Sequence, residues 1–126
     1  MNDKEFIEFI EQVRARPGMY GLNGSYYPTL TFLDGYDLGR SCALLRGFTE
    51  WLVTRKGEET SLGWRALALE EAFPGSETRH HWSQLEPEQE QQAVDVLFRL
   101  LLDFLHERDN SQRTSRHGGG ADVRRM

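Results

Sequence analysis

The chain has 126 residues, a mass of 14.6 kDa and a formal net charge of −5 at pH 7, and 38% of its residues are hydrophobic. This size suits one domain with one buried core. The longest apolar stretch, residues 96–105, is interrupted by Arg99 and Asp103, so we expect no membrane span. The start of the chain lacks the pattern of a secretory signal, and the single cysteine, Cys42, excludes an internal disulfide; both features predict a cytoplasmic protein.

The charge is unevenly distributed along the chain. The last eighteen residues hold four arginines and two aspartates, so residues 1–108 carry a net charge of −7. Proteins that bind nucleic acid gain affinity from cations that replace phosphate counterions. The acidic body therefore argues against a nucleic-acid partner and is compatible with a basic protein partner.

The first predicted helix begins after Asn2. Asn2 and Glu5 have the spacing of a capping box, and apolar residues recur at helical spacing from there to Pro17. Pro17 and Gly18 end the pattern and open a loop, and all four tyrosines of the chain lie at residues 20–36, in or just after this loop. Glycines in the loop allow positive φ angles in a tight connection: Gly18, Gly21 and Gly24.

A long helical pattern follows, from Pro28 or Thr29 to about Gly57. Gly35 and Gly39 lie inside it, and we interpret them as sites of a close helix crossing rather than a break. Cys42 lies in the same pattern beside apolar residues, which predicts a small core residue.

Two further helices complete the pattern. Ser61 is the predicted cap of a helix that Pro74 and Gly75 end. The last helix begins at Glu86 and Pro87 and has the strongest apolar face of the chain, which predicts that it lies at the centre of the fold. That face consists of Val94, Leu97, Phe98, Leu101, Phe104 and Leu105.

The fold class predicted from these patterns is all-α, a single compact bundle of four to five helices with a disordered C-terminal tail. The helical domain covers residues 1–108. Residues 109–126 contain three consecutive glycines and few apolar residues, so we predict a flexible tail.

Catalytic and metal sites receive little support from the residue pattern. His80 and His81 are adjacent, and neighbouring residues on a helix point about 100 degrees apart, so the pair does not converge on one metal ion. Cys42 has no histidine and aspartate at a recognisable spacing, and no carboxylate stands isolated in an apolar stretch. We therefore predict a protein that is not an enzyme and has no metal ion or cofactor.

Two resemblances involve the loop. Residues 13–21, VRARPGMYG, resemble the VRKRPGMYIG element of the gyrase and type II topoisomerase ATPase domain. The glutamate, the DN pair and the glycine-rich lid of that domain have no counterpart here, so no ATP-site residue is carried over. Over residues 6–106, the chain resembles small bacterial immunity proteins encoded beside polymorphic or contact-dependent toxins. Four segments carry this second resemblance: Arg16 to Tyr20, Leu30 to Tyr36, Phe48 to Leu52 and Phe98 to Phe104.

The second resemblance implies a non-enzymatic, monomeric protein that binds and neutralises a cognate protein toxin, which the acidic body predicts to be basic. Tyrosines of the loop and carboxylates predicted to be exposed are the candidate partner-binding residues: Tyr26, Tyr27, Asp34, Asp37, Glu58, Glu59, Glu70 and Glu71. The alternatives are a small-molecule-binding or signalling module whose tyrosine-rich loop covers a pocket, and a structural subunit of a larger assembly. Tyr26 and Tyr27 are equally compatible with core positions.

Overall fold

The computed structural model describes the backbone of residues 2–57, 59–74 and 85–125, and the side chains of the same residues as far as Gln112. Within these ranges the chain is all-helical and contains no strand, so the predicted fold class is confirmed. The elements are α1 (Asp3–Ala15), a 3-10 turn (Pro17–Tyr20), α2 (Tyr26–Gly39), α3 (Phe48–Lys56), α4 (Trp64–Ala72) and α5 (Pro87–Arg125).

Helix α5 is the centre of the bundle, as predicted. It contacts each of the other four helices and packs most extensively on α1 and α4. It begins at Pro87, where the missing N–H costs nothing, and the Glu86 N–H donates a hydrogen bond to Gln89 Oε1 at 2.9 Å. All six residues of its predicted apolar face are buried: Val94, Leu97, Phe98, Leu101, Phe104 and Leu105.

Helix α1 begins with the predicted capping box. Asn2 Oδ1 accepts from the Glu5 N–H at 2.9 Å, and Glu5 Oε1 accepts from the Asn2 N–H at 3.1 Å. The helix ends at Ala15, and the 3-10 turn follows directly from Pro17. Of the three loop glycines predicted to have positive φ, Gly21 and Gly24 do, at +76° and +88°.

Aromatic rings join α1, the 3-10 turn and α2. Phe9 stacks on Tyr36 with ring centroids 4.2 Å apart, and Tyr20 meets both Phe9 and Phe32 edge to face at 5.7 and 5.8 Å. The tyrosine of the RPGMY segment therefore packs the turn against the bundle.

Helix α2 begins at Tyr26, two residues before the predicted start. Its first N–H, from Tyr26, donates to Glu90 Oε1 at 3.0 Å, so a side chain of α5 satisfies a donor that the helix itself leaves unpaired. Pro28 still lies in the first turn, where its missing N–H costs no hydrogen bond.

The predicted continuous helix from Pro28 to Gly57 is wrong, because α2 ends at Gly39 and α3 starts at Phe48. The intervening residues form turns, with positive φ at Ser41, Cys42 and Gly47. The prediction of a close crossing at Gly35 and Gly39 is also wrong: a Cβ atom at either position would meet no atom within 4 Å. Cys42 is exposed in this turn rather than part of the core.

Helix α4 begins at Trp64 with Gly63 as its N-cap, so the predicted cap by Ser61 is wrong. Trp64 and Leu69 are buried, whereas Phe73 is only partly buried against the core.

The backbone of α5 is helical to Arg125, so the predicted tail, residues 109–126, begins inside this helix. Three consecutive glycines, at residues 118–120, each cost a helix about 1 kcal/mol relative to alanine. The flexibility of this stretch stays a prediction, which a truncation described in the Discussion tests.

Candidate protein-binding site

Helix α2 has one side that the described part of the protein leaves uncovered. Tyr27, Thr31 and Leu38 are spaced by one and two helical turns and share this side with Gly35; all four are exposed. Tyr27 is 62% exposed and Leu38 is 70% exposed, although both are large apolar side chains. We call these four residues the α2 outer face.

The opposite side of α2 is also apolar. Leu30 and Leu33 are buried in the core, while Phe32 and Tyr36 are partly buried against it. A helix that is apolar around most of its circumference is typical of a helix covered on several sides. Two large apolar side chains, Tyr27 and Leu38, are thus exposed on the side of α2 that faces away from the core.

A cleft of about 350 Å³ lies beside the outer face, between α2, the following turn and the start of α4. Three of its lining residues are acidic: Asp34, Asp37 and Glu50. Asp34 forms an ion pair with Arg65, whose guanidinium lies 4.7 Å above the ring of Trp64. Asp34 and Asp37 are both predicted contact residues, and the structure places them in this one cleft, beside the α2 outer face.

Asp37 stabilises the turn that follows α2. Its Oδ1 accepts from the Leu45 N–H at 2.8 Å, and its backbone carbonyl accepts from the Cys42 N–H at 2.8 Å. These bonds hold the turn that separates α2 from α3. One carboxylate oxygen of Asp37 is therefore committed to the fold.

Glu70 and Glu71 lie elsewhere, in a groove of about 500 Å³ between α3 and α4. Glu71 Oε2 pairs with Arg55 Nε at 2.5 Å, and Glu70 pairs with Lys56. Because each carboxylate meets a cation of α3, this groove does not present the acidic surface that the sequence suggested.

The two adjacent tyrosines have different environments. Tyr26 is fully buried, and its hydroxyl donates to the Arg65 carbonyl oxygen at 2.7 Å. Burial raises the pKa of the Tyr26 hydroxyl, and the positive charge of Arg65 offsets part of this rise. Tyr26 is therefore a core residue, which agrees with the alternative interpretation of the loop tyrosines. Of these two tyrosines, only Tyr27 is exposed and could contact a partner.

The remaining predicted contact residues are Glu58 and Glu59. Glu58 lies outside the described residues, and Glu59 is exposed between α3 and α4. Glu59 is not among the residues that line the cleft beside the α2 outer face.

Three surface residues of this region were not predicted from the sequence: Gly35, Leu38 and Glu50. A signal for Leu38 is present in the sequence: the buried stripe of α2 includes Leu30 and Leu33, and Leu38 falls on the other side of the same helix. An apolar residue off the buried stripe indicates an exposed apolar position.

The loop that precedes α2 covers a cavity of only about 50 Å³, lined in part by Pro17, Leu22 and Gly24. Ligand pockets usually measure about 300–1,000 Å³. A shallow depression of about 330 Å³ lies on the other side of the loop, next to Met19 and Tyr20, and Met19 is 72% exposed there. The cavity behind the loop is therefore smaller than a usual ligand pocket, whereas the depression beside Met19 and Tyr20 lies within the usual range.

The described residues contain no group of three or more His, Cys, Asp or Glu side chains placed to hold a metal ion. His80 and His81 lie outside the described residues. None of the helices in the described ranges combines the length and the apolar character needed to cross a bilayer. No protein-family model, no curated protein and no solved structure matches this chain.

Proposed function

We propose that this protein is a non-enzymatic immunity protein that binds a cationic bacterial toxin and neutralises it by covering its active or substrate-binding surface. The observation that carries the proposal is the α2 outer face, where the apolar side chains of Tyr27 and Leu38 are exposed beside a cleft with three carboxylates and two arginines. Aromatic anchors with charged residues around them are typical of protein-binding surfaces.

The charge of the body supports a basic partner. Residues 1–108 carry −7, and opposite charge raises the association rate and the specificity of a protein complex. The resemblance of residues 6–106 to immunity proteins implies a toxin as the partner. Neutralisation by coverage requires a stable scaffold and a complementary surface, and it requires no catalytic group.

The test is binding to the product of the toxin-like gene next to the gene of this protein, measured by calorimetry at about 50 and 500 mM salt. We expect a complex at micromolar protein whose affinity falls with salt, because surface charges are screened at high ionic strength. Glu50→Gln in the cleft should weaken the complex at low salt. Glu88→Gln, at an exposed position near the start of α5, is the matched control.

No complex at micromolar protein would refute the immunity role. A complex that salt leaves unchanged would refute the electrostatic contribution and would assign the affinity to apolar contacts such as those of Tyr27.

A further inference from the structure

We propose that the α2 outer face is the docking surface for the cationic toxin and that an element of the toxin packs directly against the backbone of α2 at Gly35. This inference rests on the proposed function and names the surface that performs it.

Gly35 lies at the middle of the α2 outer face. Thr31 precedes it by one turn and Leu38 follows it by about one turn, while Tyr27 lies two turns before it. Because glycine has no side chain, the helix surface is low at Gly35 and higher at Tyr27 and Leu38. The surface between Tyr27 and Leu38 is therefore a shallow depression, into which a side chain or a helix of another protein fits.

Among the residues that the structure describes, no contact requires glycine at position 35. The residue is helical, and a Cβ atom there would meet no atom within 4 Å. Glycine weakens the interior of a helix, and alanine would suit this helix better. Close approach of a backbone to another molecule is a general reason for glycine in such a position.

The charged residues next to the α2 outer face favour a cationic partner. Asp34 borders Gly35 on the side of the cleft, where Asp37 and Glu50 add two further carboxylates and Arg46 and Arg65 supply two cations. Lysine or arginine side chains of a partner that packs on Gly35 would reach this net acidic cleft. Glu50 is exposed and has no ion pair with the described part of the chain, so its charge is available to them.

A second copy of this chain is a poorer occupant. Two bodies of charge −7 repel each other. The charge distribution therefore favours a cationic protein over self-association.

The experiment uses a size series at one position, Gly35→Ala and Gly35→Gln, together with Leu38→Ala. The full-length variants are titrated against the neighbouring toxin-like protein, and their thermal unfolding is recorded. We expect affinity to fall progressively with side-chain size, by about tenfold or more for Gly35→Gln and for Leu38→Ala. The midpoint of unfolding of Gly35→Ala should rise at the same time, so that loss of binding is separated from loss of folding.

Two controls match these changes in chemistry. Ala15→Gln adds the same side chain at an exposed position of α1, and Met19→Ala removes a comparably exposed apolar side chain from the 3-10 turn. Both should leave the dissociation constant within about twofold of that of the unchanged protein.

The outcomes separate the two proposals. If the unchanged protein binds and the Gly35 series and Leu38→Ala bind equally well, the docking surface lies elsewhere and this inference is overturned while the immunity role stands. If the unchanged protein does not bind, both fall. Sedimentation of the protein alone should give a monomer, and a dimer that Gly35→Gln dissociates would assign the face to a second copy and overturn the inference.

Discussion

Asp3 and Arg108 form a largely buried ion pair that ties the two ends of the helical body together. Arg108 Nε donates to Asp3 Oδ2 at 2.9 Å and Nη2 donates to Oδ1 at 2.6 Å, which is the bidentate geometry that suits a guanidinium and a carboxylate. Nη1 of the same guanidinium donates to the Arg46 carbonyl oxygen at 2.8 Å. One side chain thus connects α5, the first turn of α1 and the turn before α3.

We expect Arg108→Ala to lower the free energy of unfolding by about 3 kcal/mol, because it leaves the Asp3 carboxylate buried without its partner. Asp3→Ala combined with Arg108→Ala should cost less than the sum of the single changes, since no unpaired charge remains. Urea unfolding measures both quantities. Arg99→Ala, an exposed change on the same helix, is the control, and an equal loss in Arg99→Ala and Arg108→Ala would contradict a stabilising role of the pair.

The buried hydroxyl of Tyr26 predicts a loss of stability in alkaline solution. Its pKa is raised above the ordinary value of 10 by burial, so the folded protein keeps this proton at a pH where the unfolded chain releases it. Stability therefore falls as pH rises above about 10, by up to ~1.4 kcal/mol per pH unit for one proton. Urea unfolding between pH 8 and 11 should show a shallower fall for Tyr26→Phe, and identical slopes for the two proteins would contradict the prediction.

The turn between α2 and α3 is stabilised by hydrogen bonds that the helical spacing of apolar residues does not predict. Asp37 accepts hydrogen bonds from the N–H groups of both Cys42 and Leu45, and Gly47 has φ +90°. A Cβ atom at Gly47 would lie 3.6 Å from Phe104 Cζ. The chain direction therefore changes at a place where the sequence continues to look helical.

Glycine has opposite roles on the two sides of this turn. Gly35→Ala should raise the free energy of unfolding by about 0.5–1 kcal/mol, because the helix gains a better helix former and the added methyl group meets nothing. Gly47→Ala should lower it, because an L-residue is strained at φ +90°. Chemical unfolding of the two variants tests this pair, and destabilisation by Gly35→Ala would show that the α2 backbone has no room at position 35.

At the scale of the whole molecule, α5 determines the arrangement of the other helices, since each of them packs on it. The last buried side chain among its described residues is that of Leu105, and residues 110–112 are exposed. Within the described side chains, the buried core therefore ends before residue 110.

We expect removal of residues 110–126 to leave the midpoint of thermal unfolding nearly unchanged. The shortened protein keeps Asp109 and the Asp3–Arg108 pair, and it loses a segment with few apolar residues. Differential scanning calorimetry measures the shift. A large loss of stability would mean that the four arginines of this segment stabilise the acidic body, and high salt should then reproduce much of the loss.

Patterns in the amino-acid sequence are enough to predict the helical class, the capping box of α1, the start of α5 at Pro87 and the buried face of α5. These features depend on local rules, because a capping box spans four residues and an apolar face repeats every three or four residues. Patterns of this short range can be recognised in the sequence without knowing where the helices lie relative to one another.

The accessibility of the predicted contact residues depends on how the helices pack. Tyr26 and Tyr27 are neighbours of the same type, yet their side chains point about 100 degrees apart on α2, so one is buried and the other exposed. Glu70 and Glu71 form ion pairs with Lys56 and Arg55, which the packing of α3 on α4 brings close to them. The first N–H of α2 is satisfied by Glu90, 64 residues away, and Asp3 is paired with Arg108, 105 residues away. Such pairings depend on how helices pack, and helix packing depends on side chains that are distant in the sequence.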